Sequence, residues 1–194
     1  MRDPQPFREK NYELDIAVVG MACRFPGARN LEEFWHNLVE GVESITKFSD
    51  EELLRSGVPA ACLSDPNYVK AAPILEDPGQ FDADFFGFLP SEARTIDPQH
   101  RILLELAHEA IEDAGYDPHR YPGRIGVFTG SAFNTYFMDR GLSSHFVQNY
   151  IPTLIDSDKD FLSTRISYKL NLKGPSLTIQ TACSTSMVAV HLAR

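Results

Sequence analysis

The stretch Ser176-Leu-Thr-Ile-Gln-Thr-Ala-Cys183-Ser-Thr-Ser-Met-Val-Ala-Val-His-Leu192 puts a thiol at a place where a thiol can react. Leu177-Thr-Ile-Gln180 alternates as a strand does, the small residues after it suit a tight turn, and a helical pattern runs from Ser184 to Arg194 through Met187, Val188, His191 and Leu192. A helix that begins at or just after Cys183 turns its unpaired backbone N–H groups and the positive end of its dipole toward the sulfur. Both favour the thiolate, which is the nucleophilic form. The backbone N–H of Cys183 can also help to hold an oxyanion as an acyl group is attacked. The competing reading is a small buried apolar cysteine, and the strand–turn–helix context alone leaves both open.

The other residues of chemical type do not assemble as readily. His191 lies eight residues beyond Cys183, and at about 1.5 Å per residue that is about 12 Å along the helix axis. A general base works within about 3 Å of its proton or through one water, so His191 is expected to be a packed residue. Surface or cap roles are expected for His36, His108, His119 and His145, and a structural role for His100. Cys23, after the first strand, and Cys62, in a polar loop, are assigned no chemistry. Three cysteines at no regular spacing make neither a disulfide framework nor a zinc site. No P-loop, G-x-G-x-x-G, G-x-S-x-G or H-E-x-x-H pattern is present, so nucleotide, serine-hydrolase and zinc-protease readings have no support. The aromatic-rich block Ser131-Ala-Phe-Asn-Thr-Tyr-Phe-Met138 suits an acyl pocket or a subunit contact, with ordinary packing as the plainer alternative.

These residues need elements to hold them. Asp15-Ile-Ala-Val-Val-Gly20 is expected to be a buried strand. Asn30 with Glu33 forms a capping-box pattern ahead of Leu31, Phe34, Trp35 and Leu38 at helical spacing, up to Gly41. Residues 42–90, rich in Pro, Asp and Phe, read mainly as irregular connections with short helices. The clearest helix starts at Asp97-Pro98, carries an apolar stripe of Ile102, Leu103, Leu106, Ala107, Ala110, Ile111 and Ala114, and stops at Gly115. Ile125-Gly-Val-Phe-Thr-Gly130 reads as a second strand, and residues 158–170 as a helix with Phe161, Leu162, Ile166 and Leu170 inward. Strands separated by helices imply a layered α/β architecture with a largely parallel sheet.

Composition narrows the classes. The chain has 194 residues, 43% of them hydrophobic and 23% charged, which excludes a disordered or fibrous protein. A formal net charge of −9 argues against nucleic-acid binding. The longest apolar run, Ile16 to Cys23, is too short to span a membrane. Free thiols suit a reducing cytoplasm. Residues 1–13 read as a polar lead-in and residues 14–194 as one structural unit.

Thr181-Ala-Cys-Ser-Thr-Ser186, preceded by Gly174-Pro175-Ser176, resembles the nucleophile motif of the β-ketoacyl synthases, the ketosynthase domains of modular polyketide synthases. Asp15-Ile-Ala-Val-Val-Gly-Met-Ala-Cys-Arg-Phe-Pro-Gly27 resembles the opening of that family. Phe81-Asp-Ala-Asp-Phe-Phe-Gly87 with Asp97-Pro-Gln-His-Arg-Ile-Leu-Leu-Glu105 resembles its middle block, and residues 158–170 resemble the helix before the nucleophile strand. Gln180 and Thr185 depart from the usual Asp and Ser, and His100 stands where Gln is more usual.

The resemblance implies a thiolase-like α/β/α/β/α layered fold, of which this chain is the N-terminal half, ending just after the nucleophile. It implies that Cys183 takes an acyl chain from the phosphopantetheine arm of an acyl carrier protein, with no cofactor or metal bound directly. A decarboxylated malonyl-type extender then attacks the thioester, helped by two histidines of the second half. The implied partners are the carrier protein, the remaining half of the domain, adjacent acyltransferase or linker domains, and a second copy paired through Leu177–Gln180. The alternatives are a ketosynthase-like domain that transfers acyl chains without elongating them, and a non-catalytic chain-length or scaffolding partner. The isolated chain is expected to be inactive in condensation.

Overall fold

Two short parallel strands with helices packed on them carry Cys183. The computed structural model describes residues 15–136 and 150–194; the lead-in 1–13 and His145 lie outside the described residues. In chain order the elements are α1 (Leu31–Glu40), β1 (Ile45–Lys47), α2 (Asp50–Arg55), α3 (Ala60–Leu63), β2 (Ala71–Pro73), α4 (Pro90–Thr95), α5 (Pro98–Asp113), β3 (Val127–Thr129), α6 (Tyr150–Ser157), α7 (Leu162–Lys169), β4 (Ser176–Thr178) and α8 (Thr185–Ala193).

β3 and β4 pair in parallel, with Val127 opposite Ser176, Phe128 opposite Leu177 and Thr129 opposite Thr178. The core lies on this pair: Phe86, Leu104, Val127, Leu162, Ile166, Leu170 and Leu172 are buried together, with Phe81, Phe88, Leu103, Ala107, Ile111 and Ile125 around them. Each such apolar side chain contributes about 1.5–3 kcal/mol when fully buried. Small polar residues let α7 sit close to β4. Thr178 Oγ1 donates to Ser163 Oγ at 2.9 Å, and Ser167 Oγ donates to Ser176 Oγ at 3.0 Å.

Asp97 caps α5, its Oδ1 accepting from Gln99 N at 2.8 Å, and Pro98 occupies the first turn. The expected apolar stripe of α5 is only partly buried, and the fully buried positions are His100, Arg101 and Leu104. The first turn runs beneath Asp156 and the start of α7, so polar side chains end up inside. Asp97 N donates to Asp156 O at 3.2 Å, and Arg165 faces Asp156 at 3.7 Å. Asn30 caps α1 as expected, but Glu33 reaches past it to accept from Arg29 N at 2.7 Å.

Three expectations are corrected. Residues 15–20 form no strand: Ile16, Val18 and Val19 are exposed, and no described strand lies beside them. A strand is a paired state, and this segment is held instead by the end of α5. Met21 N donates to Asp113 at 2.9 Å, and a Cβ on Gly20 would come within 2.7 Å of Ala114 N. Residues 42–90 contain, besides short helices, an antiparallel pair, with Ile45 opposite Pro73 and Lys47 opposite Ala71. Cys62 accordingly sits in α3 rather than in a loop.

Candidate active site

The chain leaves β4, makes a 3₁₀ turn over Ala182–Ser184 and enters α8 at Thr185. Cys183 lies in that turn and is exposed. Ala182 carries φ 53°, the left-handed region that a residue with a Cβ enters only at a cost. Hydroxyl groups hold this bend. Thr185 Oγ1 accepts from Thr181 N at 3.0 Å and donates to Ala182 O at 2.8 Å, and Ser184 Oγ donates to Thr181 O at 2.8 Å. Thr185, one of the two departures from the family motif, therefore closes the turn around Cys183.

Gly130, at the end of β3, makes room for α8. A Cβ there would collide with Thr185 Cγ2 and lie 2.5 Å from Ile179 O. Beside this contact opens a cleft of about 970 Å³ lined by Gln99, Phe128, Ser131, Phe133, Gln180 and Cys183, among others. Phe133 is 76% exposed and lines this cleft. Tyr136, three residues on, is anchored, its hydroxyl donating to Arg94 O at 2.9 Å. Phe137 and Met138 of the same block lie outside the described residues.

The remaining candidates fall elsewhere. His191 is exposed on α8, not packed as expected, because α8 buries only Ala189. Cys23 is buried, and burial together with the charge of Glu109 pushes its thiol up from the usual value. His100 is 1% exposed, and burial, with help from Arg165 and against Asp158, brings it down to about 4. It is a neutral structural group. His36 and His119 are exposed, and His108 packs edge-on against Phe85 and lies 3.5 Å from Glu112. Gln99 reaches from α5 to the cleft wall, and sequence reasoning misses it because its contact is with a residue 33 positions away.

Residues 13–194 match the family model described as beta-ketoacyl synthase, N-terminal domain. The chain belongs to the β-ketoacyl synthase family. It is 50% identical over 188 residues to a component of the phenolphthiocerol/phthiocerol polyketide synthase of Mycobacterium tuberculosis, covering 92% of this chain and 13% of that protein. It is 40% identical to the pikromycin polyketide synthase component PikAII of Streptomyces venezuelae, over 92% of this chain and 5% of that one. Ketosynthase twelve of the bacillaene polyketide synthase of Bacillus amyloliquefaciens superposes with a TM-score of 0.81 at 37% identity, over 91% of this chain and 31% of that chain. The fold is therefore that of a thiolase-like ketosynthase, and the β-ketoacyl synthase chain described here spans about a third of the solved ketosynthase and a small share of the curated synthases. Among the described residues no helix is long and apolar enough to cross a membrane.

Proposed function

We propose that residues 14–194 are the N-terminal region of a polyketide synthase ketosynthase in which Cys183 is the acyl acceptor. The observation that carries this is the exposed thiol in the turn before α8, opening on a cleft at the end of the β3–β4 pair. An acyl carrier protein presents the acyl chain on its phosphopantetheine arm. Cys183 Sγ attacks the thioester carbonyl, a new C–S bond forms, the bond to the pantetheine sulfur breaks, and the proton lost from Cys183 leaves with that thiol. The backbone N–H of Cys183 helps to hold the developing oxyanion. A malonyl-type extender on the carrier protein then loses carbon dioxide, its carbanion attacks the acyl carbon, and Cys183 departs as thiolate.

Condensation draws on histidines that the family carries in its second half, and no histidine of this chain is assigned that role. The chain by itself is expected to make no β-ketoacyl product. Pairing of two copies through Leu177–Gln180 is supported by β4, which pairs with β3 and leaves Leu177 48% exposed. Adjacent acyltransferase or linker domains complete the assembly. A cytoplasmic setting suits the three free thiols.

The experiment takes the complete ketosynthase domain bearing this sequence, with acyl and malonyl carrier proteins, and measures β-ketoacyl product by mass spectrometry. Product that disappears in Cys183→Ala is the expected result. Product that persists in that variant contradicts the assignment.

A further inference from the structure

We infer that Gln99 is a positioning residue that sets the wall of the acyl cleft, and through it the range of acyl chains that Cys183 accepts. The inference rests on the reading of Cys183 as acyl acceptor. The wall, residues 131–135, has no helix or strand of its own. Its place must therefore come from side-chain ties. Gln99 Oε1 accepts from the backbone N–H of Ala132 at 2.8 Å, and Asn134 Nδ2 donates to Ser157 O at 2.8 Å. Phe133 stands between these two ties, 76% exposed and facing the same cleft as Cys183.

Gln99 is well placed to hold its side of the wall rigid. It occupies the first turn of α5, where its backbone N–H is fixed by Asp97, and its Nε2 donates back to Asp97 Oδ2 at 3.3 Å. Asp97 is 3% exposed and is tied in turn to Asp156 O through its backbone. The side-chain amide is thus oriented at both ends, with its carbonyl committed to Ala132. A loop that loses one of its ties samples more conformations, and Phe133 then presents a wall without a fixed depth. Chain-length discrimination depends on that depth, because each methylene added to or missing from an apolar pocket changes the rate about 10–200-fold.

The test uses the complete ketosynthase domain and a series of acyl N-acetylcysteamine thioesters from acetyl to dodecanoyl, with loading rates at Cys183 read by intact-protein mass spectrometry. Gln99→Met keeps the length of the side chain and removes the acceptor. The spread of loading rates across the series is expected to narrow at least fivefold in this variant. In a Phe133→Ala background, Gln99→Met is expected to narrow it no further, which a merely structural role for Gln99 would not produce. An unchanged or wider spread, or full additivity of the two substitutions, overturns the inference while leaving Cys183 as acceptor. Failure of every thioester to load the parent at Cys183 overturns both.

Discussion

Gly130 and Thr185 are in contact across the end of β3, with no space between the glycine Cα and the threonine methyl for a further carbon. The helix that follows Cys183, α8, is seated on this contact. Gly130→Ala would force the first turn of α8 away from the sheet, and inserted carbons in a packed site typically cost about 1–3 kcal/mol. Acyl loading of the complete domain is expected to fall by at least tenfold, while Gly79→Ala, at a glycine with open space around it, leaves loading unchanged.

Thr185 serves the turn through its hydroxyl as well as its methyl. Thr185→Val keeps the shape against Gly130, deprives Thr181 N of its acceptor, and leaves Ala182 O with the backbone N–H of Thr185. A hydrogen bond of this kind contributes about 0.5–1.5 kcal/mol. Loading at Cys183 is expected to slow about tenfold, the equivalent of about 1.4 kcal/mol, and Thr185→Ser is expected to restore it. Equal rates for Thr185→Val and Thr185→Ser would show that the hydroxyl does not hold the turn.

The turn at Cys183 is legible in sequence because the hydrogen bonds that close it run between Thr181 and Thr185. The caps of α1 and α5 are legible for the same reason: Asn30 and Asp97 act within three residues of themselves. What is not legible depends on partners far along the chain. The apolar run at residues 15–20 resembles a strand, but pairing requires a neighbour that the run itself does not encode. The β1–β2 pair joins segments with no alternation, including Pro73. The apolar neighbours Val188 and Leu192 make His191 look packed, yet α8 buries little beyond Ala189. The tie between Gln99 and Ala132 has no local signature at all.

His100 predicts a specific pH dependence. Burial and the nearby Arg165 depress it to about 4, against the ordinary 6.5, with Asp158 opposing in part. Between those two values the unfolded chain takes up a proton that the folded chain refuses. Stability is therefore complete above about pH 6.5 and declines as the pH falls toward 4, by up to about 1.4 kcal/mol per pH unit. His100→Gln, which does not titrate, is expected to flatten that decline. Thermal unfolding of the complete domain from pH 4.5 to 7 measures it, and parallel curves for parent and variant would contradict the account.

The most direct measurement concerns the thiols themselves. Cys183 is exposed at the start of a helix, Cys62 is half-buried, and Cys23 is buried with its thiol pushed up. The complete domain is incubated near neutral pH with an acyl thioester, digested, and each cysteine peptide is assayed for the added acyl mass. Acylation confined to the Cys183 peptide, and absent in Cys183→Ala, is the predicted result. Equal acylation of all three cysteines, or loading that survives Cys183→Ala, would contradict it.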